Sequence, residues 1–213
     1  MSFSNHDVPR TASRFGGAEA PPAVAKLMLA LLIALRGTVL LYQGEELGLG
    51  DARLTRGQLR DPVGDLYWPT VKGRDGCRTP MPWSSAGDQA GFTDGKPWLP
   101  IPAGHRSRAV DLQERDPRSV LAFYREALAF RRASTPLQWG DLEFHDAPDE
   151  LLAFTRRCDG ETLLCLYNFS HEPHDWRLPA GYAQAIVDPM SAPGITVNSK
   201  KARLPGLSWA FLR

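Results

Sequence analysis

The stretch Phe3-Ser4-Asn5-His6-Asp7-Val8-Pro9-Arg10 determines how the first half of this chain is interpreted. A short apolar lead ends in the polar cluster Asn5-His6-Asp7, and Pro9 then stops regular structure. In α/β folds a strand fixes the backbone, and its carboxyl-terminal tip presents the functional side chains. His6 can donate a hydrogen bond and an ionised Asp7 can only accept, which suits a polyhydroxylated ligand. The alternative is an ordinary turn in which Asp7 caps the residues that follow.

The residues after this stretch indicate a β-α-β unit. Two prolines precede the run 23–35, which is apolar on nearly every face and therefore predicts a buried helix. Gly37 is placed to end that helix. Residues 38–42 read Thr-Val-Leu-Leu-Tyr, a continuously apolar strand of the kind found in parallel sheets. Residues 1–42 are therefore predicted to form strand, buried helix and strand.

A long segment without regular periodicity follows, from Gln43 to Pro117. Only a short helix around 54–59 is expected within it. Connections of this length are uncommon in compact domains and tend to be functional. We predict that its three tryptophans, at positions 68, 83 and 98, fill the core and do not act as stacking platforms.

The spacing of apolar residues then changes from that of a helix to an alternation at every second residue. Asp116 and Pro117 are predicted to start a helix over 119–132, where apolar residues recur with helical spacing. After Pro136 short alternating segments are separated by turn signals, among them the hairpin dipeptide Asp159-Gly160. The predicted strands are 142–145, 151–157, 162–169, 175–178, 185–187, 195–197 and 208–212. They predict a small antiparallel β-sandwich over 136–213, with the domain boundary near Thr135.

The first part, residues 1–135, is not predicted to be a complete domain. Two parallel strands and two helices cannot cover both faces of a sheet. We therefore expect residues 1–135 to be the end of a larger α/β domain, and the helix 23–35 to remain partly uncovered. Exposed apolar area of that kind favours self-association or a missing partner portion.

Composition excludes several classes of function. Lys and Arg total 25 against 24 for Asp and Glu, and no basic stripe is present, which argues against nucleic-acid binding. The three cysteines form no Cys-x-x-Cys pair, which disfavours a zinc site and fits a reducing compartment. No signal-peptide pattern follows Met1, and the run 23–35 is shorter than the ~20 residues of a membrane span. A cytoplasmic protein with no metal, no cofactor and no membrane contact is expected.

Four segments, in this order, carry a family resemblance: Phe-Ser-Asn-His-Asp-Val-Pro-Arg (3–10), Gly-Thr-Val-Leu-Leu-Tyr-Gln-Gly-Glu-Glu-Leu-Gly (37–48), Lys-Gly-Arg-Asp-Gly-Cys-Arg-Thr-Pro-Met-Pro-Trp (72–83) and Ala-Gly-Phe-Thr-Asp-Gly-Lys-Pro-Trp (90–98). The chain resembles the C-terminal part of the α-glucosidases and oligo-1,6-glucosidases of the α-amylase superfamily, glycoside hydrolase family 13. One departure is Val39, where the family usually has Pro. The resemblance implies a (β/α)8 TIM barrel followed by an antiparallel β-sandwich. The implied parts are strand seven (1–7), helix seven (23–35), strand eight (38–42), helix eight (119–132) and an active-site loop (43–117).

The resemblance also implies roles for individual residues. Members of the family retain anomeric configuration through a nucleophilic Asp and a general-acid Glu. Both lie upstream of the matched segments, so this sequence does not contain them and the chain alone is expected to be inactive. Asp7 matches the transition-state-stabilising carboxylate, and His6 matches a hydrogen-bond donor to the sugar. Arg74 matches the arginine that holds the terminal glucose; the alternative for Arg74 is a surface ion pair with Asp75.

Other polar residues of the matched segments are predicted to be scaffolding. They are Arg10, Glu45, Glu46 and Arg78.

Three functional hypotheses follow. The first is part of a retaining α-glucosidase that acts on short α-glucoside oligosaccharides. The second is a sucrose- or trehalose-active or glucosyl-transferring relative, and the third is a truncated, non-catalytic carbohydrate-binding or partner protein.

Overall fold

The structure, a computed structural model, describes all residues 1–213. The helices are α1 (Thr11–Gly16), α2 (Pro22–Ala34), α3 (Pro62–Leu66), α4 (Ala103–Arg106), α5 (Val110–Gln113), α6 (Val120–Ala133) and α7 (Thr135–Trp139), with 3-10 turns at Glu45–Leu47, Arg56–Gln58 and Asp75–Arg78. The strands are β1 (Asp141–His145), β2 (Leu151–Cys158), β3 (Glu161–Asn168), β4 (His174–Arg177), β5 (Thr196–Val197), β6 (Lys201–Leu204) and β7 (Ser208–Leu212). None of these helices has the length and apolar character needed to cross a membrane.

The residues form two compact units. The sheet unit comprises Met1, Leu27–Val39 and Glu126–Arg213, and the loop unit comprises Ser2–Lys26 and Leu40–Arg125. The boundary near Thr135 stays a prediction, because compactness alone does not define a domain that folds independently.

The sheet unit contains two antiparallel sheets, as the alternating pattern after Pro136 predicts. One has the strand order β1-β2-β3-β7 and the other the order β4-β6-β5. Six of the seven strands overlap predicted ones. The sequence prediction missed β6, in which the exposed Lys201 and Arg203 alternate with the buried Ala202 and Leu204. The predicted strand 185–187 is wrong, since only the single bridge between Val187 and Leu212 forms there.

The hairpin between β2 and β3 forms at the predicted dipeptide. Asp159 has φ of 49° and Gly160 has φ of 81°, and Cys158 pairs with Glu161 across the turn. Two consecutive residues with positive φ give the turn a twist that matches the flanking strands.

One apolar core joins a face of the larger sheet to residues of the smaller sheet. It consists of Leu151, Ala153, Leu164, Leu166, Trp176, Leu178, Ala202, Leu204, Ala210 and Leu212. The opposite face carries Phe154, Tyr167 and Phe211, all of which are buried. Strand β3 contributes to both faces, and its residues from Leu163 to Asn168 are all buried.

The apolar helix α2 forms as predicted, but the expectation that it stays partly uncovered is wrong. Every residue from Leu27 to Ala34 is buried. Carbonyls near its C-terminal end, where the last four lack partners within the helix, accept hydrogen bonds from side chains of the sheet unit. The Tyr167 hydroxyl donates to the carbonyl of Ala30 at 3.2 Å, and Arg156 donates to that of Ala34. Arg131 donates to the carbonyl of Ile33. Positive charge at a helix C-terminus is also favourable electrostatically.

The two predicted parallel strands do not form in this structure. Residues 1–8 contain only an isolated bridge between Asn5 and Val8, and residues 38–42 belong to no β-ladder. An apolar segment becomes a strand only when a neighbouring strand takes up its backbone hydrogen bonds, and none does so here. Leu40 is accordingly 60% exposed.

The loop unit has a small core of its own, formed by Leu47, Leu49 and Leu121. Helix α6 forms where helical spacing predicts it, but Asp116 is not its N-cap. The Ser119 hydroxyl instead accepts from the backbone N–H of Ala122 at 3.0 Å.

The tryptophans of this loop were predicted to be core residues. That prediction is wrong for Trp83 and Trp98, which are 53% and 48% exposed.

Candidate active site

The segment that carries His6 and Asp7 is a tight turn on the surface of the loop unit. The backbone N–H of Asp7 donates to the side-chain oxygen of Asn5 at 2.7 Å, and Asn5 bridges to Val8. The turn alternative is therefore correct for the backbone, with Asn5 as the capping residue and not Asp7. Because the turn is closed by Asn5, the carboxylate of Asp7 is free to project outwards and is half exposed.

The structure brings the three predicted site residues together. One carboxylate oxygen of Asp7, Oδ1, lies 3.1 Å from Nη1 of Arg74, and Oδ2 lies 3.3 Å from Nε2 of His6. Asp7 and Arg74 are separated by 67 positions in the chain and meet only through folding of the loop.

A fourth residue, Arg78, completes the cluster. Its Nη2 donates to Asp7 Oδ1 at 3.0 Å, and its Nε donates to the backbone carbonyl of His6 at 2.7 Å. Sequence reasoning assigned Arg78 to scaffolding and so missed this contact. The available signal was spacing, because Arg74 and Arg78 are four residues apart: Arg74 precedes the single helical turn Asp75–Arg78, and Arg78 ends it.

The electrostatics of the cluster keep Asp7 ionised. Desolvation raises the pKa of Asp7, but the hydrogen bond from Arg74 and the charges of His6 and Arg74 outweigh it. The hydrogen bond from Arg78 acts in the same direction, and the pKa of Asp7 lies below its usual value. A carboxylate at this position therefore carries its negative charge at neutral pH.

Arg74 is oriented by a buried carboxylate. Asp61 Oδ2 accepts from Nε of Arg74 at 2.8 Å and from its backbone N–H at 2.9 Å, while Oδ1 lies 3.3 Å from Nη2. The side chain of Asp61 is fully buried, and the hydrogen bond from Arg74 holds the pKa of Asp61 far below its usual value. This pair fixes the plane of the guanidinium.

The alternative for Arg74, an ion pair with Asp75, is wrong. Asp75 is buried, and its Oδ2 accepts from the backbone N–H groups of Arg60 and Asp61. Asp75 thereby holds the residue that orients Arg74.

Beneath the cluster, buried polar residues form hydrogen bonds between the N-terminal segment that carries Asp7 and the loop that carries Arg74. Arg10 is fully buried and donates to the backbone carbonyls of Gly50, Gly76 and Thr79. Glu45 is buried as well and accepts from the hydroxyls of Ser4 and Thr11.

These contacts explain why charged residues lie in the interior of this unit. They position Asp7 relative to Arg74, because they link the segments that carry each residue.

The cluster offers hydrogen-bonding groups and charge, and no metal site accompanies it. No group of three or more His, Cys, Asp or Glu side chains could hold a metal ion. Asp7 Oδ2 has only His6 beside it, and so retains capacity to accept hydrogen bonds from a ligand.

Comparison with known proteins places this geometry in a family context. The model of the alpha-amylase catalytic domain matches residues 1–140. A probable alpha-glucosidase of Rhizobium meliloti is 50% identical over 100% of this chain and 38% of its own length. A probable oligo-1,6-glucosidase 2 of Bacillus subtilis is 36% identical over 87% of this chain and 37% of its own.

Solved structures agree with the sequence relatives. The crystal structure of the alpha-glucosyl transfer enzyme XgtA matches with a TM-score of 0.93 and 45% identity, over 100% of this chain and 40% of that one. The chain thus spans well under half the length of the relatives it matches. That coverage fits part of a TIM barrel together with a sheet domain, and the match over residues 1–140 shows that this chain belongs to the alpha-amylase family.

Proposed function

We propose that this chain provides part of the substrate site of a retaining α-glucosidase that cleaves terminal α-glucosidic bonds of short oligosaccharides. The observation that carries the proposal is the exposed carboxylate of Asp7, held by Arg74 and Arg78 with His6 beside it. Relatives named alpha-glucosidase and oligo-1,6-glucosidase support the substrate class.

In this proposal Asp7 stabilises the transition state. The reacting sugar becomes oxocarbenium-like and gains positive charge, so an ionised carboxylate binds it more strongly than it binds the ground state. Both arginines contact Oδ1, which fixes the carboxylate in place before reaction. Oδ2 then faces the sugar with its charge already oriented, and no reorganisation is needed during the step.

His6 and Arg74 bind the glucose in this proposal. A guanidinium has five N–H donors, and Arg74 directs three of them to Asp61 and Asp7, one from each nitrogen. Two donors remain for hydroxyls at the non-reducing end. In this proposal, a part of the enzyme outside this chain supplies the nucleophile and the general acid.

A second candidate, glucosyl transfer, is favoured by the 45% identity to an alpha-glucosyl transfer enzyme. Both reactions use the same glycosyl intermediate and differ in whether water or another sugar accepts it. The ratio of released glucose to released aglycone distinguishes them, because the ratio is one for hydrolysis and lower for transfer.

The proposed function can be tested in a chimera. The corresponding segment of the Rhizobium meliloti relative is replaced by this chain, and release of an aryl alcohol from an aryl α-glucoside is measured. We expect Asp7→Asn to lower kcat by about 10²–10³ with little change in KM, as loss of one preorganised electrostatic group does. An active chimera in which Asp7→Asn retains the parental kcat would remove Asp7 from the mechanism. The chain by itself should show no turnover in the same assay.

A further inference from the structure

A second feature of the loop unit is a cavity beside Trp98, whose lining includes none of the residues His6, Asp7, Arg74 and Arg78. Its volume is about 710 Å³, within the range of ~300–1,000 Å³ that is usual for small-molecule sites. Trp98 belongs to the segment 90–98, for which the proposed function has no role.

The exposure of Trp98 follows from how its loop is anchored. The next residue, Leu99, is fully buried, and Ala90 is buried at the other end of the segment. The carbonyl of Ala90 accepts from the backbone N–H groups of Trp83 and Ser84, each at 2.9 Å. Because both ends are fixed in the interior, the indole is held at the cavity and does not fold into the core.

The polar side chains around the cavity are suited to hydroxyl groups. Gln89, Asp94 and Lys96 line it and have no partner within the protein, and Gln58 uses only its amide oxygen, which accepts from the backbone N–H of Thr55. They offer amide and ammonium donors and amide and carboxylate acceptors. An aromatic face beside such groups is the combination that binds one apolar face and the hydroxyl edge of a sugar ring.

The charges at the cavity nearly cancel, which argues against an ionic ligand. Arg106 Nη1 pairs with Asp88 Oδ1 at 3.2 Å. Of the remaining charged groups, Arg60 donates through Nε to the carbonyl of Trp98 at 3.4 Å, and Lys96 and Asp94 have opposite sign. A neutral, polyhydroxylated ligand fits this balance better than a phosphate does.

From these observations we infer that the cavity beside Trp98 is a second carbohydrate site, which binds a glucose oligosaccharide by stacking on the indole. It does not depend on Asp7 or on the proposed reaction. Failure of the hydrolytic proposal therefore leaves it intact, and its own failure leaves the hydrolytic proposal intact.

The test is binding of maltotriose to the full chain, followed by the indole N–H resonances in heteronuclear NMR spectra. We expect the Trp98 resonance, assigned by its loss in Trp98→Ala, to shift saturably. Trp98→Ala should weaken binding at least tenfold, and Trp98→Phe should retain part of the affinity because an aromatic face remains. Trp139→Ala removes an indole that is 75% exposed and lies outside the cavity, and is the matched control.

Several outcomes would overturn the inference. They are unchanged affinity in a folded Trp98→Ala variant, no shift of the Trp98 resonance at saturating maltotriose, or equal loss of binding in Trp139→Ala. Displacement of maltotriose by inorganic phosphate would show that the cavity binds anions instead. Retained binding in Asp7→Asn is expected, and loss of binding in that variant would place the ligand at the Asp7 cluster.

Discussion

Replacement of His105 by Gln should remove a large part of the acid sensitivity of this chain. His105 is buried, and its Nδ1 lies 3.3 Å from the hydroxyl of Thr79, which in turn accepts from Arg10. Burial lowers the pKa of His105 to about 4, and the charges of Arg10 and Arg108 act in the same direction. The histidine is therefore neutral in the folded chain under conditions where it is protonated in the unfolded chain.

The direction of the pH effect follows from proton linkage. The unfolded state has a His pKa of about 6.5, so it binds more protons than the folded state between about pH 6.5 and pH 4. Folding stability is therefore complete above pH 6.5 and declines as the pH falls towards 4. The pKa of His105 differs by about 2.5 units between the unfolded and folded states, and each unit corresponds to about 1.36 kcal/mol. The loss of stability is therefore about 3 kcal/mol over the whole window, of which about 2 kcal/mol falls between pH 7 and pH 5.

Urea unfolding at pH 7 and pH 5 measures this effect. Between pH 7 and pH 5, we expect the free energy of unfolding of the wild type to fall by about 2 kcal/mol more than that of His105→Gln. The m-values of the two proteins should be equal. His171→Gln changes an exposed histidine and is the matched control. Equal pH dependence in the wild type and His105→Gln, or an imidazole of His105 that titrates near 6.5 by NMR, would refute the reasoning. Since Arg10 and Thr79 link His105 to the loop that carries Arg74, acid should also weaken the Asp7 cluster.

Two further predictions concern the arginines of the cluster, both in the active chimera. Arg74→Ala should weaken discrimination between short and long α-glucosides, because the group proposed to hold the terminal glucose is lost; an unchanged substrate-length profile would assign Arg74 to structure alone. Arg78→Ala should lower kcat more than it raises KM and shift the acid limb of the rate profile to higher pH, because Arg78 lowers the pKa of Asp7. Arg78→Lys should restore part of the rate, and an acid limb that does not move in Arg78→Ala would contradict a role through Asp7.

The sequence by itself determined the elements whose stability is local or periodic. Helices α2 and α6 and six of the seven strands lie where periodicity places them, because amphipathic or fully apolar spacing selects one backbone conformation. The turn at Asp159-Gly160 likewise follows from residues that tolerate positive φ. The ordered set of four motifs also predicts the alpha-amylase family, which the comparison confirms.

Only the tertiary structure decided whether apolar segments are paired or covered. Residues 38–42 have the composition of a buried strand, yet they form no ladder with other residues of this chain, because a strand depends on a neighbour that the segment itself cannot specify. Helix α2 is covered, and its end carbonyls are satisfied by Arg131 and Arg156, which lie far from it in sequence.

The site shows the same division. The motifs predict Asp7, His6 and Arg74 as its members, but the roles of Asp61 and Arg78 depend on contacts across the folded loop. The exposure of Trp98 was likewise beyond sequence reasoning, because an aromatic residue in an irregular loop has no periodicity that shows which way it points. Residue type and spacing determine what a side chain can do, whereas the packing of distant segments decides which groups it meets.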